Sequence, residues 1–133
     1  MKISKIVLMG IILFFAFLML MIFSSKNTSV SGYLPAFAAK NQKIQEAYTF
    51  AKNSGEKLDG VPCFCGCMQH MHNGRIHSRG LLDCFMEEDN KTFEDHASNC
   101  DMCINDALEV KTLSAQGLSK DAIKQKISSK YIN

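Results

Sequence analysis

A chain of 133 residues with 15 Lys and Arg against 13 Asp and Glu, six cysteines, no tryptophan and an apolar segment at its start has room for one small domain. Lys2 and Lys5 carry the whole excess of positive charge, so the chain beyond the apolar segment is neutral, and residues 56–103 hold nine acids against four bases. That balance excludes a nucleic-acid binder, which needs a basic stripe to displace the counterions of phosphates, and it favours attraction of cations.

Residues 6–23 are 18 consecutive apolar or small residues without a charge. The run is long enough to cross a hydrocarbon core as a helix, and longer than the apolar part of a signal peptide. With Lys2 and Lys5 ahead of it, the positive-inside bias puts the N-terminus in the cytoplasm and the rest outside. The expectation is a single-pass cell-membrane protein whose C-terminal domain lies on the extracellular face. The other reading is a signal removed after Ala36-Phe37-Ala38, which has the small-x-small form, leaving a secreted domain. No cysteine follows the segment closely, so anchoring through a lipid-modified cysteine is not expected.

Residues 24–32, SSKNTSVSG, are small and polar and read as a flexible tether. The folded part begins near Tyr33. Pro35 suits a first helical turn, and Phe37, Ile44, Ala47, Tyr48 and Ala51 recur at helical spacing up to Asn53-Ser54-Gly55, which predicts a helix over about 36–53. Residues 56–91 show no period and are punctuated by Gly60, Pro62, Gly66, Asn73-Gly74 and Gly80. A loop of this length needs more than its own hydrogen bonds to order it, and the cysteines are the obvious means. Thr92 is placed to cap a second helix with Glu94 and Asp95 in its first turn and Ile104, Ala107, Leu108 and Val110 inside, ending at Gly117. A third helix starts at Ser119 with Ile123, Ile127 and Tyr131 as its stripe, and Leu118 and Ile123 placed for a hydrophobic staple. The expected fold class is mainly α: an N-terminal transmembrane helix (1–23), a tether (24–32) and a small three-helix domain (33–133) with an irregular cysteine-rich loop between its first and second helices.

The chemistry lies in residues 63–103, which contain all six cysteines and all four histidines. Cys63, Cys65 and Cys67 alternate, and a disulfide between i and i+2 is strained. They can converge on soft cations if Gly66 lets the backbone curl, with Cys84 as a fourth sulfur. His96, Cys100 and Cys103 stand at i, i+4 and i+7, one face of the predicted second helix, and could chelate an ion there. Six sulfurs plus His96, with His70, His72 and His77 available, exceed the four ligands of one tetrahedral zinc, so two zinc ions or a small Cu(I) cluster fit the count. Met68, Met71, Met86 and Met102 are soft thioethers and tilt the choice toward copper, unless they fill the core. Three disulfides remain the alternative, since outside the cytoplasm an even cysteine count in a small domain usually means disulfides. A thiol–disulfide redox protein has thinner support, because Cys100-x-x-Cys103 falls well inside the predicted helix rather than at its start. No nucleophile–base pair, paired carboxylates or phosphate-cradling loop is present, so a non-enzymatic binding protein is expected.

At these residues the chain resembles a family of small bacterial envelope proteins named after a PCYCGC motif, mostly lipoproteins of Gram-positive bacteria. The motif stands here as Pro62-Cys63-Phe64-Cys65-Gly66-Cys67, with Phe64 in place of the tyrosine, and the likeness continues through His77-Ser78, Asp83-Cys84-Phe85, His96-Ala97, Cys100-x-x-Cys103 and the last helix to Tyr131. The resemblance implies a domain over about 33–133. It further implies that Cys63, Cys65, Cys67, Cys84, Cys100 and Cys103 act as one set with His77 and His96. Residues 68–75 look like an insertion rich in His and Met, which sets His70 and His72 apart. Metal ions, copper or zinc, and the membrane are the expected partners; no protein partner is implied.

Overall fold

The computed structural model describes residues 33–71 and 73–132, together with the isolated positions 9, 14, 15 and 17. The chain divides into two units, 1–32 and 33–133. The transmembrane helix expected over residues 6–23, apart from those four positions, and the tether over 24–32 lie outside the described residues. Among the described residues no helix is long and apolar enough to cross a membrane.

The second unit is mainly helical: among its described residues there are three α-helices and no strand. Helix α1 spans Gln42–Ser54, α2 Asp101–Ala115 and α3 Lys120–Ser128. The first predicted helix divides in two, a 3-10 turn at Ala36–Ala39 and then α1. Asn41 makes the division by adopting an extended conformation and accepting the Ile44 N–H on its side chain at 3.0 Å, a cap that starts a new helix. At the other end of the domain Ser119 caps α3 by accepting the Ala122 N–H. Helix α2 closes with the paired bonds of a Schellman motif, Leu118 N–H to the Leu113 carbonyl and Gly117 N–H to the Ser114 carbonyl, as Gly117 suggested.

The core is built on α1. Its Ala47, Tyr48 and Ala51 are buried against Ile104, Ala107 and Val110 of α2, whose far side meets Ile123 and Ile127 of α3. Tyr48 is fully buried at the centre of an aromatic group, with Phe85, Phe37 and Phe93 ring centroids 5.0, 5.8 and 6.0 Å away, and its hydroxyl donates to the Glu94 carbonyl at 2.8 Å. Burying a ring of this kind stabilises by roughly 2–3 kcal/mol, and its hydroxyl needs a partner once dry. The Tyr48–Glu94 bond therefore fastens the cysteine-rich loop to α1.

The second helix starts later than the sequence predicts. Thr92 does not cap it: the Asp89 carboxylate accepts the backbone N–H groups of Lys91 and Thr92 and the Thr92 hydroxyl, each at 2.8 Å, and so fixes a turn. An isolated antiparallel bridge, Met86 with Phe93, then holds the chain extended, and Glu94 turns inward and is buried. His96–Asn99 forms a 3-10 turn, Cys100 is extended (φ −126°, ψ 101°), and α2 begins at Asp101. His96, Cys100 and Cys103 thus do not share a helical face.

The loop between α1 and α2 is laced across itself by backbone bonds. Gly60 N–H donates to the Arg79 carbonyl and Leu81 N–H to the Val61 carbonyl, His77 N–H to the Cys67 carbonyl, and Glu94 N–H to the Phe85 carbonyl. Gly80 is required at its position: φ is +68°, and a Cβ there would collide with the Val61 carbonyl oxygen.

Candidate metal centre

Three separate pieces of chain bring the sulfurs together. The first is the run Cys63–Cys67, which curls as predicted at Gly66 (φ +96°), with Gln69 and His70 N–H both donating back to the Gly66 carbonyl at 3.0 Å. The Cys63 N–H donates to the Met68 sulfur at 3.2 Å, which closes the curl from the side. Phe64, between two cysteines, stacks on Tyr131 with centroids 4.8 Å apart. Tyr131 is fixed in turn: its hydroxyl donates to both carboxylate oxygens of buried Asp106 at 3.0 and 3.1 Å, beside a Lys130–Asp106 contact of 2.5 Å.

The second piece carries His77 and Cys84. Arg79 grips Asp83, four residues on, through its side chain at 2.6 Å and its backbone N–H at 2.8 Å, and reaches the Met86 and Glu87 carbonyls at 3.1 and 2.9 Å. Arg75 pairs with the Glu94 and Glu87 carboxylates at 3.4 and 3.3 Å. With both flanking arginines tied down, His77 is buried and its Nδ1 lies 3.5 Å from the Cys84 sulfur. The third piece is the 3-10 turn and the start of α2, bearing His96, Cys100 and Cys103. Lys40 holds that turn by donating to the Ser98 hydroxyl at 3.2 Å and the Asn99 side chain at 2.7 Å.

The pieces meet. Cys63 sulfur lies 3.2 Å from that of Cys65 and 3.5 Å from that of Cys103; Cys65 sulfur lies 3.7 Å from that of Cys103 and 3.4 Å from His96 Nε2; Cys67 sulfur lies 3.6 Å from that of Cys84. The two imidazoles, His77 and His96, stand edge to face at 5.0 Å. Three overlapping quartets have all four ligand atoms within 4.8 Å of one another: Cys63, Cys65, Cys84 and Cys103; Cys65, Cys67, Cys84 and His96; Cys65, His96, Cys100 and Cys103. Cys65 belongs to all three. All six cysteines are free thiols. Their separations are close to the roughly 3.8 Å edge of a thiolate tetrahedron built on a 2.3 Å zinc–sulfur bond, and well beyond the ~2.05 Å of a disulfide.

Electrostatics divide the thiols into two kinds. Hydrogen bonds from Cys103, Cys67 and Cys84 hold the Cys63 thiol far below its usual range. Bonding from Cys84, with a further contribution from His96, pulls Cys65 down to about 4 against the cost of burial. Cys67 and Cys103 are pushed up, each chiefly by Cys63, and Cys84 is pushed up by Cys103, Cys63 and Cys65. Contacts among the buried sulfurs thus favour the ionised form of some and the protonated form of others. A soft cation placed among them replaces those protons and allows the remaining sulfurs to ionise. Burial, with the nearby His96 and Arg75, lowers His77, which favours the neutral imidazole.

Of the predicted set, Cys63, Cys65, Cys67, Cys84, His96, Cys100 and Cys103 lie in the quartets, while His77 is in none of them and stands beside them, its Nδ1 3.5 Å from the Cys84 sulfur. The exposed His70 is in none of the quartets, and His72 lies outside the described residues. The methionines take other parts: Met86 is core, Met71 is exposed and Met68 accepts a backbone N–H. Sequence reasoning passed over the supports Arg75, Arg79, Asp83 and Asp106. Arg79 and Asp83, four apart ahead of Cys84, were the one local signal.

Fold and site define a small helical domain whose irregular loop, with the start of α2, gathers six thiols, with His96 among them and His77 beside Cys84. A family model described as a protein of unknown function with PCYCGC motif matches residues 23–133. The chain belongs to that family. No curated protein and no solved structure matches it.

Proposed function

We propose that this protein binds a d10 cation, Cu(I) or Zn(II), in a polynuclear thiolate cluster, and sequesters it or hands it on at the outer face of the cell membrane. The observation that carries the reading is the overlap of the quartets, with Cys65 common to all three. A mononuclear site has one set of four ligands. Overlapping sets with shared sulfurs are what bridging thiolates between adjacent ions require. Because every quartet contains Cys65, two tetrahedral ions held in these sets share at least that sulfur, and more ions of lower coordination fit once further thiolates bridge. Soft thiolates with neutral imidazole select these ions over hard cations such as Mg2+ or Ca2+. The methionine positions weaken the case for copper over zinc that the sequence suggested. Anchoring and outward orientation are supported by the uncharged run at residues 6–23 behind Lys2 and Lys5.

The test is to purify the full chain in detergent under anaerobic, reducing conditions, reconstitute it with Zn(II) and separately with Cu(I), and measure bound ion after desalting. Two or more ions per chain, with all six thiols protected from alkylation, is the expected result. A protein that retains no ion overturns the proposal, and if the chain isolated without reductant also has a mass lower by six hydrogens it is a disulfide-stapled module instead.

A further inference from the structure

The cluster is not evenly buried. Cys84, Cys103 and His77 are 0 % exposed, Cys63 2 % and Cys67 5 %, whereas Cys65, His96 and Cys100 are half-buried. The half-buried three, with Cys103, are one of the quartets, and Cys65 also belongs to both quartets that contain Cys84. Cys100 belongs to the outer quartet only, and it sits at the junction where a 3-10 turn ends and α2 begins, extended and outside regular helix.

Resting on the metal reading above, we propose that the cluster has a closed end and an open end, and that Cys65, His96 and Cys100 form a port where an ion is exchanged with an incoming thiolate. The step is a ligand substitution. An incoming thiol forms a metal–sulfur bond, the metal–Cys100 sulfur bond breaks, and the proton of the incoming thiol passes to the Cys100 thiolate. No electron moves and the ion keeps its charge. Cys65 holds the ion through the exchange and bridges to the interior, where Cys63, Cys84 and Cys103 complete the quartet that retains its ion until the loop opens. Release from the closed end needs local unfolding; release from the port does not, so the two differ in rate by at least about tenfold.

The proposal is tested on the full chain in detergent, loaded anaerobically with Zn(II) or with Cu(I). Loss of ion is followed by stopped flow to 4-(2-pyridylazo)resorcinol for zinc or bathocuproine disulfonate for copper. Dithiothreitol and a reduced two-cysteine peptide serve in turn as the exchanging thiol. Two phases are expected, the fast one accelerated by thiol; whichever thiol accelerates it more names the small-molecule or protein-borne source. Cys100→Ser puts a good helix cap at that position and is expected to fold; it should remove the fast phase and lower the bound ion count while a slow phase persists. His96→Gln should reduce the fast amplitude in the same way. A single phase in the unaltered protein, or a fast phase that survives both substitutions, overturns the port while leaving the metal reading intact. Failure to retain any ion overturns the metal reading itself.

Discussion

The contact between Phe64 and Tyr131 gives a measure of how far the C-terminal turn holds the metal-binding loop. The rings stack at 4.8 Å with planes 27° apart, and such a pair contributes about 0.5–1.5 kcal/mol beyond the area it buries. Phe64 lies between Cys63 and Cys65, so ordering its ring orders both sulfurs. In a double-mutant cycle of Phe64→Ala and Tyr131→Ala, read by urea unfolding of the ion-loaded protein, the expected coupling is about 1 kcal/mol. If metal binding must supply the lost order, each single variant should also bind its ion roughly 2- to 13-fold more weakly, which is 0.5–1.5 kcal/mol as a ratio of constants. Tyr131→Phe keeps the stack and removes the hydroxyl given to Asp106. Lys130 still faces that carboxylate, so a loss of about 1–2 kcal/mol in stability is expected, with less effect on the ion. Additivity within about 0.3 kcal/mol, together with unchanged ion affinity in both alanine variants, would refute the claim that the C-terminal turn braces the cysteine loop.

Three further outcomes follow from the same geometry. Gly80→Ala must hold a positive φ and meet the Val61 carbonyl, so a loss of at least about 2 kcal/mol in thermal or urea unfolding is expected, with one fewer protected thiol as Cys84 is displaced; a neutral variant contradicts the local geometry. Arg79→Ala leaves the buried Asp83 carboxylate with Arg75 at 3.8 Å and the residue-79 N–H as its remaining partners and should cost about 1–3 kcal/mol, whereas Arg79→Lys recovers part of that but not the bonds to the Met86 and Glu87 carbonyls; equal stability of all three proteins would be inconsistent with this role. Three hydrogen bonds from Lys91 and Thr92 hold Asp89 down at about 2, against an ordinary 3.8. Its folded-state pKa is depressed, so the turn's contribution is complete above about 3.8 and is lost as pH falls from there through about 2; a carboxyl carbon NMR titration should give the low midpoint, and a midpoint near 3.8 would show that the turn does not form.

Helix existence was legible because it rests on local pattern. The 3.6-residue recurrence of Ala47, Tyr48 and Ala51, the Ser119 cap and the Gly117 stop all act within a few residues and all appear in the fold. The start of α2 was not legible. Thr92 followed by two acids has the form of a helix cap, but the Asp89 carboxylate captures Thr92 from the other side, and the Met86–Phe93 bridge and the inward turn of Glu94 depend on residues brought in by the fold. The six cysteines and His96 come together in the fold, but not in the way the sequence suggested. His96, Cys100 and Cys103 come together through an extended junction rather than a helix face, and they close on Cys65 from a different part of the chain. Ligand chemistry is written in residue types, which sequence displays. The arginine–carboxylate lacing and the Phe64–Tyr131 brace are written in distance, which sequence does not display.

The central claim is that the three overlapping quartets form one polynuclear thiolate centre. Native mass spectrometry of the full chain released from detergent, after anaerobic loading with Zn(II) or Cu(I), tests it most directly by counting ions per polypeptide. The account predicts a dominant species carrying two or more ions, which Cys65→Ser, by removing the ligand common to all three quartets, shifts to fewer. A single ion at saturation, with stoichiometry unchanged in Cys65→Ser, would contradict it.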